Sequence, residues 1–332
     1  MTAALQTPLP PNDPEDRDEV AWHEAVSRSG DRVYRIGITV AALAVPLLLL
    51  ALLVAVTVAA WPALRQFGFS FLVTSDWDPV NGRFGAAPAI FGTLVSSLLA
   101  IAMATPLALG VAIFLSEFAP PWLRQPLSFF VDLLAAIPSV VFGLWGIFVL
   151  VPVLREHVMP FLANDLHLGG TPFFSGPAYG TSMLAAALIL AIMVLPYISA
   201  VSREVLLAVP RSQREAALAL GATRWEMIRT AVIPFAKSGI IGGVILGLGR
   251  ALGETMAVTM LIGNRPEISA SLFAPGYTMA SLIANEFSEA TGDLHVAALM
   301  AVGFVLFLLT FAVNVIARLL VARTARMAGG GA

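Results

Sequence analysis

The sequence predicts an all-α membrane protein with six transmembrane helices. Hydrophobic residues fill 58% of the 332 positions and charged residues 12%, a balance far too apolar for a water-soluble domain of this length. Six segments each reach the roughly 20 residues needed to cross about 30 Å of hydrocarbon as a helix. Period-2 alternation is absent, which excludes a transmembrane barrel, and helices satisfy their own backbone hydrogen bonds in lipid.

The N-terminal arm contains TPLPPNDPEDRDE, Pro-rich and acidic with almost nothing to bury, so residues 1–30 read as disordered. The first apolar segment, 36–60, lies far from the start and lacks a small-residue cleavage pattern; it reads as an anchor helix, not a signal peptide. The second segment is 89–115. The connection before it, FGFSFLVTSDWDPVNGRFGAAP, is rich in Gly, Pro and aromatics and reads as a compact cap. The third segment, 127–154, is interrupted by Pro138, Gly143, Gly146 and Pro152, residues that permit kinks and close helix contact in membranes. Asp132, near its start, reads as structural. LHLGGTPFFSGPAYG forms a second cap before the fourth segment, 181–201. The fifth and sixth are 238–262 and 296–320, within a six-helix membrane domain over 31–323 that leaves 324–332 as a flexible tail.

Cytoplasmic connections retain Lys and Arg. With both termini on one side, that side holds 14 of them and the other holds four, Arg65, Arg83, Arg155 and Arg265, so both termini are predicted to be cytoplasmic. There are no cysteines, which removes disulfides and thiolate chemistry. His157, Asp165 and His167 share one loop and could bind a metal, but ordinary loop polarity is the simpler reading.

The most informative connection is 209–237, VPRSQREAALALGATRWEMIRTAVIPFAK. Ser212 with Glu215, and Thr223 with Glu226, have the spacing of capping boxes. Gly221 stands where a helix should end in a left-handed residue. The spacing predicts a helix over 213–220, a glycine turn, a second helix over 224–233, and a bend at Pro234. Ala216, Ala217, Leu218 and Leu220 form more apolar surface than a freely exposed helix needs, so something should cover it. Helix, turn and helix beside four arginines could also describe a DNA-binding unit. The tether to the membrane at both ends and the topological origin of the charge argue against nucleic acid.

In GRALGETMAV, Arg250 and Glu254 stand in a run that otherwise reads as membrane helix. An ion at the bilayer centre costs about 2.5 to 3.5 kcal/mol on insertion scales. Four residues apart, the two can pair, and a structural ion pair is one reading. The other is an anion path: a guanidinium presents a planar fork of donors that suits an oxyanion and keeps its proton at ordinary pH. Thr255 and Thr259, with Asn264 beyond, could add neutral hydrogen bonds.

EAALALGATRWEMIRTAVIP resembles the EAA loop of ABC importer permeases. Glu215, Ala216, Ala217, Gly221 and Pro234 match at the expected spacing, with Ala231 and Ile233 as conservative departures. The resemblance implies the type I ABC importer permease fold and a coupling helix, from Glu215 to Gly221, docked in a cleft of an ATP-hydrolysing subunit. The sole lysine, Lys237, lacks the preceding glycines of a phosphate-cradling loop, so this chain does not hydrolyse ATP itself. GRALGETMAVTMLIGN and LLAAIPSVVFGLWGIFVLVP resemble, more specifically, permease subunits of phosphate importers.

That resemblance implies a bacterial inner-membrane location and a substrate path containing Arg250, Glu254, Thr255 and Thr259. It also implies a second permease of the PstA type, a PstB-type ATPase dimer and a periplasmic phosphate-binding protein of the PstS type. No cofactor is implied in this chain; ATP and Mg belong to the partner ATPase. The alternatives are a permease for another oxyanion such as molybdate or sulfate, a stand-alone secondary transporter, and a subunit that also signals phosphate status.

Overall fold

The computed structural model describes the backbone of residues 14–329 and the side chains of 30–319 and 321. Helix α1 spans Pro14–Phe67. Its first part, up to Ala55, is a unit of its own. Between residues 30 and 55 its large apolar side chains are exposed on every side, from Val33 to Val54, as suits a helix surrounded by hydrocarbon. The helix covers 14–30, where the sequence alone reads as disordered. There the sequence places a proline first and acids in the opening turns, where a helix dipole favours them. Residues 1–13 of the predicted arm lie outside the described residues.

The second unit, from Val56 onward, holds the other elements. After α1 come the short helix α2, Ser70–Val73, and a two-residue hairpin that pairs β1, Trp77–Asp78, with β2, Arg83–Phe84. The Asp78 carboxylate accepts from Asn81 Nδ2 at 2.6 Å and from the Val80 and Asn81 amides, closing the turn. These bonds, the Asn81 side chain first, hold its pKa below the usual carboxylate value. The predicted compact cap is thus formed. Helix α3, Ala87–Ile113, runs on through a π turn, Phe114–Phe118.

Helix α4, Pro121–Ala136, and helix α5, Ser139–Trp145, are separated by an extended break at Ile137 and Pro138. The third segment therefore crosses from Ser139, not from 127. Proline disfavours helical φ/ψ at the residue before it, and here Ile137 takes the extended alternative, which makes the break. The span continues through the π turn Gly146–Leu150, helix α6, Val151–Val153, and the π turns Leu154–Val158 and Phe161–Asp165. Helix α7, Met183–Leu207, is the most enclosed of the spans. It packs Ala186, Leu190, Val194 and Ile198 against the small residues Ala100, Ala104 and Ala108 of α3.

Helix α8, Arg211–Ala219, and α9, Arg224–Met227, lead through the π turn Ile228–Val232 into α10, Ile233–Leu252. Helix α11, Met256–Leu261, follows a break at 253–255, so the fifth segment is not one helix from 238 to 262. Glycine at 253 and the turn after it end the span before Glu254. Helix α12, Met279–Glu286, precedes α13, Asp293–Gly329. Helix α13 carries the chain through most of the tail expected to be flexible, because VARTARMA holds no helix breaker before the final glycines. Residues 330–332 lie outside the described residues. Six described helices are long and apolar enough to span a membrane.

Four of the π turns end two residues before a proline: Phe118 before Pro120, Leu150 before Pro152, Val158 before Pro160 and Val232 before Pro234. Proline lacks an N–H, and its ring crowds the carbonyl four residues back. Ahead of Pro152, Pro160 and Pro234, widening the preceding turn by one residue relieves that crowding while the helix continues; after Phe118 the helix ends, with Ala119 extended. The bend expected at Pro234 is therefore a wide turn just ahead of it.

Candidate functional site

The charged pair lies where α10 gives way to α11. Arg250 Nη2 stands 3.4 Å from Glu254 Oε2. The partners differ in environment: the arginine side chain is 38% exposed and the glutamate 5%. The guanidinium carbon sits 5.4 Å from the centre of the Tyr197 ring, within cation–π range. The Tyr197 hydroxyl in turn donates to the Ala135 carbonyl at 3.2 Å, tying α7 to the end of α4. Tyr197 is ten residues from the end of α7 at Leu207, about 15 Å along the helix, so the guanidinium lies beside the middle of α7.

The surface of α10 around Arg250 is open. A Cβ at Gly242 or Gly249 would meet nothing within 4 Å, and Leu246 between them is exposed. The opposite side of α10 is closed, since Gly243 and Gly247 approach Val201 and Ile198 of α7. Arg250 lies between the open stripe and the one packed on α7, its guanidinium leaning on Tyr197 and still partly exposed, while Glu254 is enclosed. Gly143 and Gly146 meet α11 closely: added Cβ atoms would lie 3.2 Å from Ala257 Cα and 2.6 Å from a Leu261 methyl. That close contact is the packing role expected of the glycines in the third span.

Thr255 and Thr259 flank the pair, but their hydroxyl protons are engaged. Thr255 Oγ1 donates to the Gly253 carbonyl at 3.3 Å, and Thr259 Oγ1 to the Thr255 carbonyl at 2.7 Å. Asn264, at positive φ, donates from Nδ2 to the Thr259 carbonyl at 2.8 Å. These groups brace the irregular stretch after the break. Tyr197 was not legible as part of this site, because nothing in the sequence spacing relates α7 to Arg250.

The second candidate region is the connection between α7 and α10. Gly221 has φ +84 and ends α8 as expected. The Thr223 and Glu226 box forms, with the Thr223 amide 2.8 Å from Glu226 Oε2 and the Glu226 amide 3.3 Å from Thr223 Oγ1. The Ser212 and Glu215 box does not: the helix begins two residues earlier than predicted, with Pro210 at its N-cap, so Ser212 lies inside it. Glu215 and Ala216 are exposed, Ala217 packs partly against the core, and Pro234 occupies the first turn of α10. Leu218 and Trp225 are exposed, and Leu220 is 90% exposed. The apolar surface that ought to be covered is bare in the isolated chain.

His167 Nδ1 faces the Asp165 carbonyl at 3.1 Å, and among the described residues no three His, Asp or Glu side chains converge as a metal site would require. On the opposite face to α8, Glu286 accepts from Trp77 Nε1 at 2.7 Å and lies 3.0 Å from His295 Nε2. Tyr277 donates to Glu286 at 3.5 Å and accepts from Asn285 Nδ2 at 2.8 Å. Burial, ahead of these contacts, pushes the Tyr277 phenol up to about 12.

Six spans, a guanidinium beside a helix break and an exposed helical knob define a multi-pass membrane protein of the permease type. Residues 104–326 match the model of the binding-protein-dependent transport system inner membrane component, and the chain belongs to that family. A phosphate transport system permease protein PstC of Mesorhizobium japonicum is 46% identical over 88% of this chain and 90% of its own length. Its counterpart in Xylella fastidiosa is 49% identical over 86% and 90%, and that of Haemophilus influenzae 45% over 87% and 92%.

Among solved structures, an inward-facing MetNI methionine ABC transporter aligns with TM-score 0.53 at 18% identity, covering 71% of this chain and 94% of that one. An alginate ABC importer aligns with TM-score 0.52 at 17% identity, covering 78% and 88%. The fold is that of the type I ABC importer permeases.

Proposed function

We propose that this chain is a permease subunit of an ATP-driven phosphate importer in the bacterial inner membrane, with both termini cytoplasmic. The observation that carries the reading is the Arg250 guanidinium, partly exposed beside the break between α10 and α11 and seated on Tyr197, in a chain 45–49% identical to permeases named for phosphate transport. A second permease of the PstA type would face the open side of α10, and the two would enclose the path. A PstB-type ATPase dimer, which binds ATP and Mg, would dock on Glu215, Ala216, Leu218 and Leu220. A PstS-type binding protein would deliver phosphate from the other face.

The residues divide the work. Arg250 supplies a fork of donors that an oxyanion accepts, and Tyr197 holds the fork by its ring. Glu254, enclosed below, tempers the positive charge so that the anion is attracted without being trapped. Thr255 and Thr259 keep the chain after the break in place. Closure of the ATPase dimer on ATP would move α8 as a lever, and the spans would rock between inward- and outward-facing arrangements.

The test is uptake of labelled phosphate by vesicles containing the four-component complex, with the ATPase present or omitted and with sulfate or molybdate as competitor. Phosphate uptake that requires the ATPase and is insensitive to tenfold excess sulfate or molybdate is the expected result. Uptake of another oxyanion in preference would overturn the substrate, and uptake by this chain alone would overturn the subunit role.

A further inference from the structure

Helix α8 has an unusual problem of attachment. It is nine residues long, too short to persist alone in water, and none of its residues is fully buried. Apolar packing therefore does little to hold it against the spans, apart from the partial contact of Ala217. Besides its approach to Ile228–Val232, what ties it to the second and fourth spans is one side chain. Arg214 donates from Nη2 to Glu117 Oε1 at 2.8 Å and from Nε to the same oxygen at 3.3 Å. Its Nη2 also donates to the Leu206 carbonyl at 2.8 Å, and its Nη1 to the Val209 carbonyl.

These acceptors belong to different elements. Leu206 lies in the last turn of α7 and Val209 just past it; the Leu206 carbonyl also accepts from the Val209 amide at 3.3 Å, and a cation is favoured at such a helix end. Glu117 lies in the π turn that closes the second span, a helix end at which a carboxylate is misplaced unless a cation meets it. The pair is enclosed, with Arg214 18% and Glu117 9% exposed. Beneath it Leu206, Val209, Ala112 and Ile113 are packed with Met227 and Ile228 in one cluster. One guanidinium thus joins the second span, the fourth span and α8.

We infer that Arg214 and Glu117 form a positioning pair that makes α8 and the ends of the second and fourth spans move as one body, so that displacement of α8 by an ATPase reaches the spans. The inference rests on the coupling role of α8 proposed above. It assigns the transmission of motion to a polar link instead of to the EAA residues on the exposed face. Those residues meet the partner; Arg214 turns inward and meets the permease.

The chain has no cysteine, so two can be introduced for spin labels without background. Labels replacing Ala219 on α8 and Phe118 at the end of the second span, in the assembled complex, report whether the two elements move together. In the parent the distance distribution should be narrow and unchanged between the nucleotide-free and ATP-trapped states. Arg214→Met and Glu117→Gln should at least double its width, and phosphate taken up per ATP hydrolysed should fall at least tenfold while the ATPase stays bound. The double variant Arg214→Met/Glu117→Met replaces a buried pair by apolar groups and should recover thermal stability. It should not recover the uptake ratio, because the carbonyls of α7 remain unbridged. Unchanged distance widths in the single variants, or a recovered uptake ratio in the double variant, would overturn the inference. Failure of the parent complex to take up phosphate would instead count against the functional reading, and the distance measurement would still decide this one.

Discussion

Replacing Arg250 by alanine separates a structural ion pair from a transport group, provided that the double variant Arg250→Ala/Glu254→Ala is measured beside it. The arginine is more than a third exposed, so its pairing with Glu254 at 3.4 Å is screened and contributes about 1 kcal/mol or less to stability. The single variant leaves a nearly enclosed carboxylate without its cation, and some loss of stability is expected from that alone. Removing both groups relieves it. Transport should respond otherwise. A charge-assisted hydrogen bond contributes about 1.5 to 3 kcal/mol, which at about 1.4 kcal/mol per tenfold corresponds to a loss of about 10- to 150-fold. Initial phosphate uptake in reconstituted vesicles, normalised to assembled complex, should fall by that factor in both the single and the double variant. Arg250→Lys should rescue poorly, because a point charge does not reproduce the fork or its seat on Tyr197. If the double variant restores uptake to the parent level, Arg250 only neutralises its neighbour and the anion-path argument fails.

Gly221→Val should reduce coupling without a clash, since a Cβ there meets nothing within 4 Å: the cost is the left-handed backbone, about 1 to 2 kcal/mol, and Gly221→Asn should be milder; ATP hydrolysed per phosphate is the measurement. Leu220→Asp should leave melting in detergent unchanged and abolish co-purification with the ATPase, because that side chain is bare in this chain. Gly92→Ala should lower stability by about 1 to 3 kcal/mol, since the methyl would press into the Tyr277 carbonyl, whereas Gly110→Ala, with open space around it, should be neutral or better. An ultraviolet titration should show one tyrosine ionising near pH 12; because an unfolded phenol ionises near 10, the fold should weaken as pH rises from 10 towards 12, and Tyr277→Phe should remove the late step.

The six spans were legible because hydrophobic length is a property of composition alone. Their interruptions were legible only in part. Pro138 was recognised as an interrupter, yet its effect, to detach α4 from the span, depends on the residue before it leaving helical geometry. The break at Gly253 was hidden in an apolar run because glycine is tolerated in membrane helices, and only the return of α11 against Gly143 and Gly146 shows where the helix must stop. Of the two capping boxes, the one that formed follows a glycine turn that fixes its start; the other lost to Pro210, which begins the helix earlier. Arg250 and Glu254 were found by their cost in hydrocarbon. Tyr197 and Glu117 were not, since each matters through a partner more than 50 residues away, and one sequence carries no record of such distances.

The wide turns ahead of the prolines have a consequence for how these spans tolerate change. Each accommodates one residue more than a regular turn, so deleting a single residue there lets the segment rewind as ordinary helix with the faces on either side kept in register, whereas a deletion in a regular turn rotates everything beyond it by about 100°. Elsewhere in a membrane such a deletion would swing a lipid-facing stripe into the protein interior and ruin the span. At 146–150, 154–158 and 228–232 the chain carries its own slack, so a one-residue deletion at any of them should leave the span and the facing of its side chains intact.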